Sequence, residues 1–113
     1  MADLARIRGS IPPIVTPFRD GAVDYEAYAG LVEFQIDQGS HGVLVNGTTA
    51  EPSTLTVEER NRLVDVAMET VKGRVPVVAA TGSQSFAETE ALSCHAADAG
   101  ADALLIEIGR AHV

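Results

Sequence analysis

Four short apolar runs rich in Val, Leu and Ile recur along the chain, at residues 11–15, 41–46, 75–80 and 103–106. Each interval between them carries a segment of helical periodicity. A repeat of roughly 30 residues is the length of a βαβ unit. Right-handed crossovers would bring such strands into one parallel sheet with the helices outside. The order βα, βα, βα, β therefore predicts an α/β fold, either a doubly wound sheet or part of a (β/α)₈ barrel.

The helical segments are bounded by recognisable signals. Asp24 can N-cap a helix that runs to about Gln38 and is closed by Gly39. Thr56-Val57-Glu58-Glu59 is a capping box, in which the Thr hydroxyl accepts from the Glu59 N–H and the Glu59 carboxylate reaches back. Leu63, Val64, Ala67, Met68 and Val71 then recur on one face until Gly73. Ser85-Phe86-Ala87-Glu88 reads as a second capping box, and Ala91, Leu92, His95, Ala96 and Ala99 as the inner face of the helix after it, up to Gly100. Pro76 stands near the start of the third run, where a missing donor matters least.

Composition narrows the function classes. Aromatic residues make up 4% of the chain and Trp is absent, so the core is built from Val, Leu, Ile and Ala, as in buried parallel sheets. A net charge of −8 leaves no basic stripe for phosphates, so neither nucleic acid nor an acidic membrane is an expected partner. The N-terminus lacks an apolar h-region and no window reaches transmembrane length, which makes a cytoplasmic protein the default. Cys94 is the only cysteine, expected to be an inert packing residue. No metal spacing is present, and no G-x-G-x-x-G or G-x-x-x-x-G-K-[ST] comes after a strand, so neither a metal nor a nucleotide cofactor is expected. The 113 residues would suit one compact domain.

The remaining signal is chemistry at strand ends. Thr16-Pro17, Gly47-Thr48-Thr49 and Thr81-Gly82-Ser83 come after the first three runs, so three loops present small polar residues to one side. That is where α/β proteins place their sites. An ordinary strand-to-helix turn is the competing reading of Gly47-Thr48-Thr49 taken alone. Glu51, His41 and His95 are read as structural, and Tyr25 and Tyr28 lie on the first helix, away from those loops.

Taken together, Ile14-Val15-Thr16-Pro17-Phe18, the run from Asn46-Gly47-Thr48-Thr49-Ala50-Glu51-Pro52-Ser53 through Thr54-Leu55-Thr56, Glu59-Arg60 and Ala79-Ala80-Thr81-Gly82-Ser83 resemble the N-terminal part of the dihydrodipicolinate synthase / N-acetylneuraminate lyase family. The motifs match in order and at the right separations. The resemblance implies the N-terminal part of a (β/α)₈ TIM barrel, three βα units plus a fourth strand, over residues 1–106. It implies a pyruvate-dependent class I aldolase-type lyase that holds pyruvate as a Schiff base on a lysine of the sixth strand and needs no cofactor. Gly47-Thr48-Thr49-Ala50-Glu51 is more similar to the dihydrodipicolinate synthase branch, which condenses pyruvate with aspartate semialdehyde in lysine and diaminopimelate biosynthesis. A sugar-acid aldolase or a neuraminate lyase is the alternative within the family.

By the same resemblance Thr48 belongs to a hydroxyl relay between two tyrosines, and Thr49 and Gly47 bind the pyruvate carboxylate. A tight turn at a strand end offers converging N–H and O–H donors to a carboxylate, and a hydroxyl can accept one proton while giving another. The resemblance also implies a homo-oligomer, dimer or tetramer. Pro52, Val57 and Arg60 stand where lysine-inhibited members carry Ser and His, so lysine feedback is not expected.

Two features set the chain apart from a complete enzyme. A full barrel needs about 250 residues, and the only lysine, Lys72, ends the second helix, on the face away from the loops. The last seven residues, Glu107-Ile108-Gly109-Arg110-Ala111-His112-Val113, depart from the family. Translation of GAG ATC GGA AGA GCA CAC GTC, a sequencing-adapter oligonucleotide, would give the same seven residues, and residues 107–113 are expected to be a non-native tail. Outside the enzyme class, the chain could be a small flavodoxin-like anion-binding domain, or a truncated translation with no function of its own.

Overall fold

The computed structural model describes residues 4–107. Six of the seven tail residues, 108–113, lie outside the described residues, as do residues 1–3.

A three-stranded parallel sheet forms the centre, from β3 (Val43–Val45), β4 (Val77–Ala80) and β5 (Ala103–Leu105), in that spatial order. The register pairs Val45 with Ala79 and Ala79 with Leu104. Three helices connect and cover it: α1 (Tyr25–Asp37), α2 (Val57–Val71) and α3 (Phe86–Ala99). α2 packs against both of its neighbours. Parallel strands need such crossovers, because the chain must return to the same end before each new strand.

The run at 11–15 is not a regular strand. It lies beside β3 with a single parallel bridge, Pro13 to Leu44, held by Ile14 N–H to Leu44 O (3.0 Å) and Leu44 N–H to Pro12 O (3.0 Å). Pro12 and Pro13 have no N–H to give, so the ladder cannot continue. Next comes a hairpin that the apolar runs did not predict: β1 (Phe18–Arg19) pairs antiparallel with β2 (Ala22–Val23). Asp20 and Gly21 turn it with φ of 53° and 82°, the conformation for which an Asp-Gly pair is suited.

The helix caps hold largely as expected. Asp24 accepts from Ala27 N–H at 2.9 Å, and Thr56 and Glu59 make both bonds of a capping box. At the third helix the box is incomplete. Ser85 accepts from Glu88 N–H at 3.2 Å, but the Glu88 carboxylate accepts from Ser83 Oγ at 2.7 Å instead of reaching back. The second helix ends at Lys72 and Gly73, both left-handed, with φ of 49° and 75°.

The core lies between helices and sheet. Val43, Val45, Val77 and Ala79 point into it with Val32, Leu63, Val64, Ala67 and Val71. On α3 Leu92 and Ala96 are buried and His95 and Ala99 half-buried, whereas Ala91 and Cys94 are exposed. Cys94 is thus a surface thiol, one position off the buried stripe, and not a packing residue. No helix among the described residues is long and apolar enough to cross a membrane.

Candidate functional site

Parallel pairing places the C-terminal ends of β3, β4 and β5 at one edge of the sheet, and the parallel bridge at Pro13 brings Thr16 to the same edge. The three polar loops named from the sequence therefore meet. Their hydroxyls have different fates.

Thr16 is buried and donates from Oγ1 to Ala50 O at 2.9 Å, tying the first loop to the second. Thr81 is buried too and shares a 2.8 Å bond with Ser93 Oγ on α3. Ser83 donates to Glu88 and takes Thr89 Oγ1 on its own N–H at 3.0 Å. These groups hold the loops in place.

Thr48 and Thr49 differ. Both are exposed, and neither side chain has a partner among the described residues. They open a 3₁₀ turn, Thr48–Ala50, whose closing bonds run from Ala50 N–H to Gly47 O (2.9 Å) and from Glu51 N–H to Thr48 O (3.0 Å). The N–H groups of Thr48 and Thr49 stand ahead of those bonds and carry none, as at any helix start. Gly47 is buried, and a Cβ there would sit 3.0 Å from Leu44 Cδ2. A larger residue there would press on the Leu44 side chain, which would have to shift. A cluster of two hydroxyls and free amides suits a small carboxylate.

Two residues named from the sequence only as parts of motifs support this turn. Asn46, 2% exposed and left-handed at φ 63°, donates from Nδ2 to Arg60 O at 3.0 Å. Arg60, 5% exposed, donates from Nη2 to Ala80 O (2.9 Å) and from Nη1 to Gly82 O (3.1 Å). Burial lowers the Arg60 pKa from its ordinary value, and the nearby Glu88 carboxylate works in the opposite direction. The signal for Arg60 was available: 60, 64, 67 and 71 share one helical face, so periodicity places the guanidinium inward.

The remaining sequence candidates are structural here. His41 Nδ1 accepts from Ser10 N–H at 2.9 Å, and His95 Nε2 lies 2.8 Å from Asp65 Oδ1. Glu51 contributes through its backbone, with φ 56° and a carbonyl that accepts from Thr54 Oγ1 at 2.7 Å. Its carboxylate caps nothing. Tyr25 stacks under Arg62 at 4.0 Å, and Tyr28 is fully buried on α1. Lys72 caps the far end of α2, at the edge of the sheet opposite Thr48 and Thr49. Among the described residues no His, Cys, Asp or Glu cluster could hold a metal.

Two open surface hollows, of about 530 and 490 Å³, lie at that opposite edge, around Lys72 and around Arg6. Arg74 there pairs with Glu33 at 2.8 Å and bonds Val71 O and Thr70 O, and Arg6 bonds Gly73 O. These cations satisfy carbonyls in the last turn of α2 and at the glycine that closes it. At the strand-end turn, by contrast, the hydroxyls of Thr48 and Thr49 have no partner among the described residues.

Residues 6–107 match the Dihydrodipicolinate synthetase family. The chain is 51% identical over 102 residues to the 4-hydroxy-tetrahydrodipicolinate synthase of Methylobacterium radiotolerans, an alignment covering 90% of this chain and 34% of that protein. The crystal structure of dihydrodipicolinate synthase from Aquifex aeolicus superposes with a TM-score of 0.85 at 43% identity, over 88% of this chain and 34% of that one. A prophage protein of E. coli K12 from the dihydrodipicolinic acid synthase family, solved in complex with pyruvate, superposes with a TM-score of 0.84 at 39% identity, over 88% and 34%. The chain thus spans about a third of the length of these relatives.

Proposed function

The chain belongs to the dihydrodipicolinate synthetase family, and from that premise we propose that it forms the pyruvate-carboxylate end of a Schiff-base lyase, a 4-hydroxy-tetrahydrodipicolinate synthase condensing pyruvate with aspartate semialdehyde. Thr49 and the N–H groups of the Gly47-Thr48-Thr49 turn receive the carboxylate of pyruvate. Thr48 passes protons between tyrosines contributed by the rest of the enzyme, whose assembled form is a homo-oligomer.

One observation carries this reading. Of the hydroxyls that three strand ends bring together, those of Thr48 and Thr49 are the pair with no protein partner among the described residues. The pyruvate complex of the E. coli relative supports the substrate, and the names of the 50–51% identical relatives support the aldehyde.

The chain cannot form the Schiff base by itself. Attack on a keto group needs an unprotonated amine aimed at it, and Lys72 is the only lysine of the sequence. It sits at the C-terminal end of α2, at the wrong edge of the sheet. The nucleophile belongs to the two thirds of the enzyme beyond this region.

The test joins residues 4–106 to the remainder of the Aquifex aeolicus synthase and adds pyruvate with borohydride. The hybrid is expected to gain one reduced pyruvate adduct by mass, and the 113-residue chain alone none. Thr49→Val in the hybrid should raise the pyruvate KM about tenfold or more, the worth of a hydrogen bond to a charged group, ~1.5–3 kcal/mol. An adduct on the isolated chain, or an unchanged KM in that variant, would refute the assignment.

A further inference from the structure

We propose that Arg60 is a positioning residue for the carboxylate-binding turn: its buried guanidinium fixes the spacing between the loops after β3 and β4, and Asn46 transmits that spacing to Gly47-Thr48-Thr49. The inference rests on the assignment of that turn to pyruvate binding.

The connectivity is the first argument. The guanidinium fork spans Ala80 O and Gly82 O, on either side of Thr81 at the end of β4. The carbonyl of the same residue takes Asn46 Nδ2, and Asn46 is the last residue before the turn. One residue on α2 therefore touches the ends of two strands. A planar fork with donors at fixed angles sets a distance between carbonyls that a flexible ammonium cannot.

The second argument is that the position on its own helix does not favour an arginine. Arg60 lies in the opening turns of α2, where the positive end of the helix dipole disfavours a cation. It is buried without a carboxylate in contact, and its Nε, like Asn46 Oδ1, finds no partner among the described residues. An apolar residue would match the core face of α2, but it would leave Ala80 O and Gly82 O without the donors the guanidinium supplies. Asn46 adds a left-handed backbone at a non-glycine residue. Such local conflicts cluster where function and not stability sets the residue.

Three versions of the hybrid decide it: Arg60 retained, Arg60→Lys and Arg60→Met. If Arg60 positions the turn, Arg60→Met raises the pyruvate KM by about tenfold or more while kcat changes less, because the loss is in substrate binding. Arg60→Lys recovers part of it, since one carbonyl can still be reached. Hydrogen exchange should quicken together at residues 46–50 and 80–83 in both variants. A fall in Tm with unchanged KM and unchanged exchange at 46–50 would make Arg60 a structural residue only and overturn the proposal. Should Arg60→Met fail to fold, Arg60→Lys with wild-type KM and exchange would overturn it equally. A parent hybrid that traps no pyruvate defeats the functional reading instead, and the exchange comparison still decides whether Arg60 couples the two loops.

Discussion

Alternate residues of the same strands meet opposite fates. Val43, Val45, Val77 and Ala79 are completely buried beneath the helices. Leu44, Val78 and Ala80 between them are only half-buried, and Leu105 of β5, in register with Ala80, is 49% exposed. The side-chain period of a strand is two, so an unbroken apolar run loads both faces. Three helices cover one. The other is equally apolar and requires cover from outside the described residues, as expected of a chain spanning a third of its relatives' length. A continuous apolar strand thus specifies two contacts, and a partial sheet satisfies one.

The contrast can be broken most severely at its buried side. Val45→Asp in the hybrid should abolish soluble folded protein, since an unpaired buried charge costs several kcal/mol. Leu44→Asp makes the sharper comparison. In the hybrid it should lower Tm strongly, whereas in the isolated chain it should increase the monomeric fraction in size-exclusion chromatography, because there it only breaks an exposed apolar patch. Equal effects of Leu44→Asp in the two contexts would mean that both faces are already satisfied.

Leu63→Ala, on the covered side, should cost about 2–5 kcal/mol in urea unfolding of the hybrid, the transfer loss plus the cavity. Thr56→Ala removes one half of the capping box and should cost about 1 kcal/mol by the same measurement.

The smallest effect is expected at Tyr28. Its hydroxyl is buried on the covered side without a partner among the described residues, and burial raises its pKa above the ordinary tyrosine value. The folded state therefore holds the neutral phenol. Its contribution is fully present below the unfolded value of about 10 and is lost as pH rises from there toward the folded one. Tyr28→Phe should leave neutral-pH stability within about 1 kcal/mol of the parent, on the stabilising side. It should also flatten the alkaline decline in Tm, and an unaltered decline would place its origin elsewhere.

Much of this was legible before any coordinates. Local signals marked α1, α2 and α3, because a cap, a 3.6-residue stripe and a closing glycine act within one helix. The strand ends and the Gly47-Thr48-Thr49 turn were read from the same punctuation. The hairpin at Asp20-Gly21 had its signal too, but its strands are two residues each and carry no apolar run. Cys94 and Ala91 were misplaced by one helical position, a small angular error on a helix whose small residues give little contrast between faces.

Sequence by itself determined the alternation of strands and helices, the family, and which residues stand at the strand ends, since these depend on neighbours a few positions apart. Only the tertiary structure decided which hydroxyls are consumed and which remain. Thr16, Thr48 and Thr81 are the same residue type in like positions, yet Thr16 meets Ala50 O and Thr81 meets Ser93 while Thr48 meets no side-chain partner among the described residues. A hydroxyl's availability depends on groups brought together from distant parts of the chain, and so does the crossing of Arg60 from α2 to the carbonyls of β4.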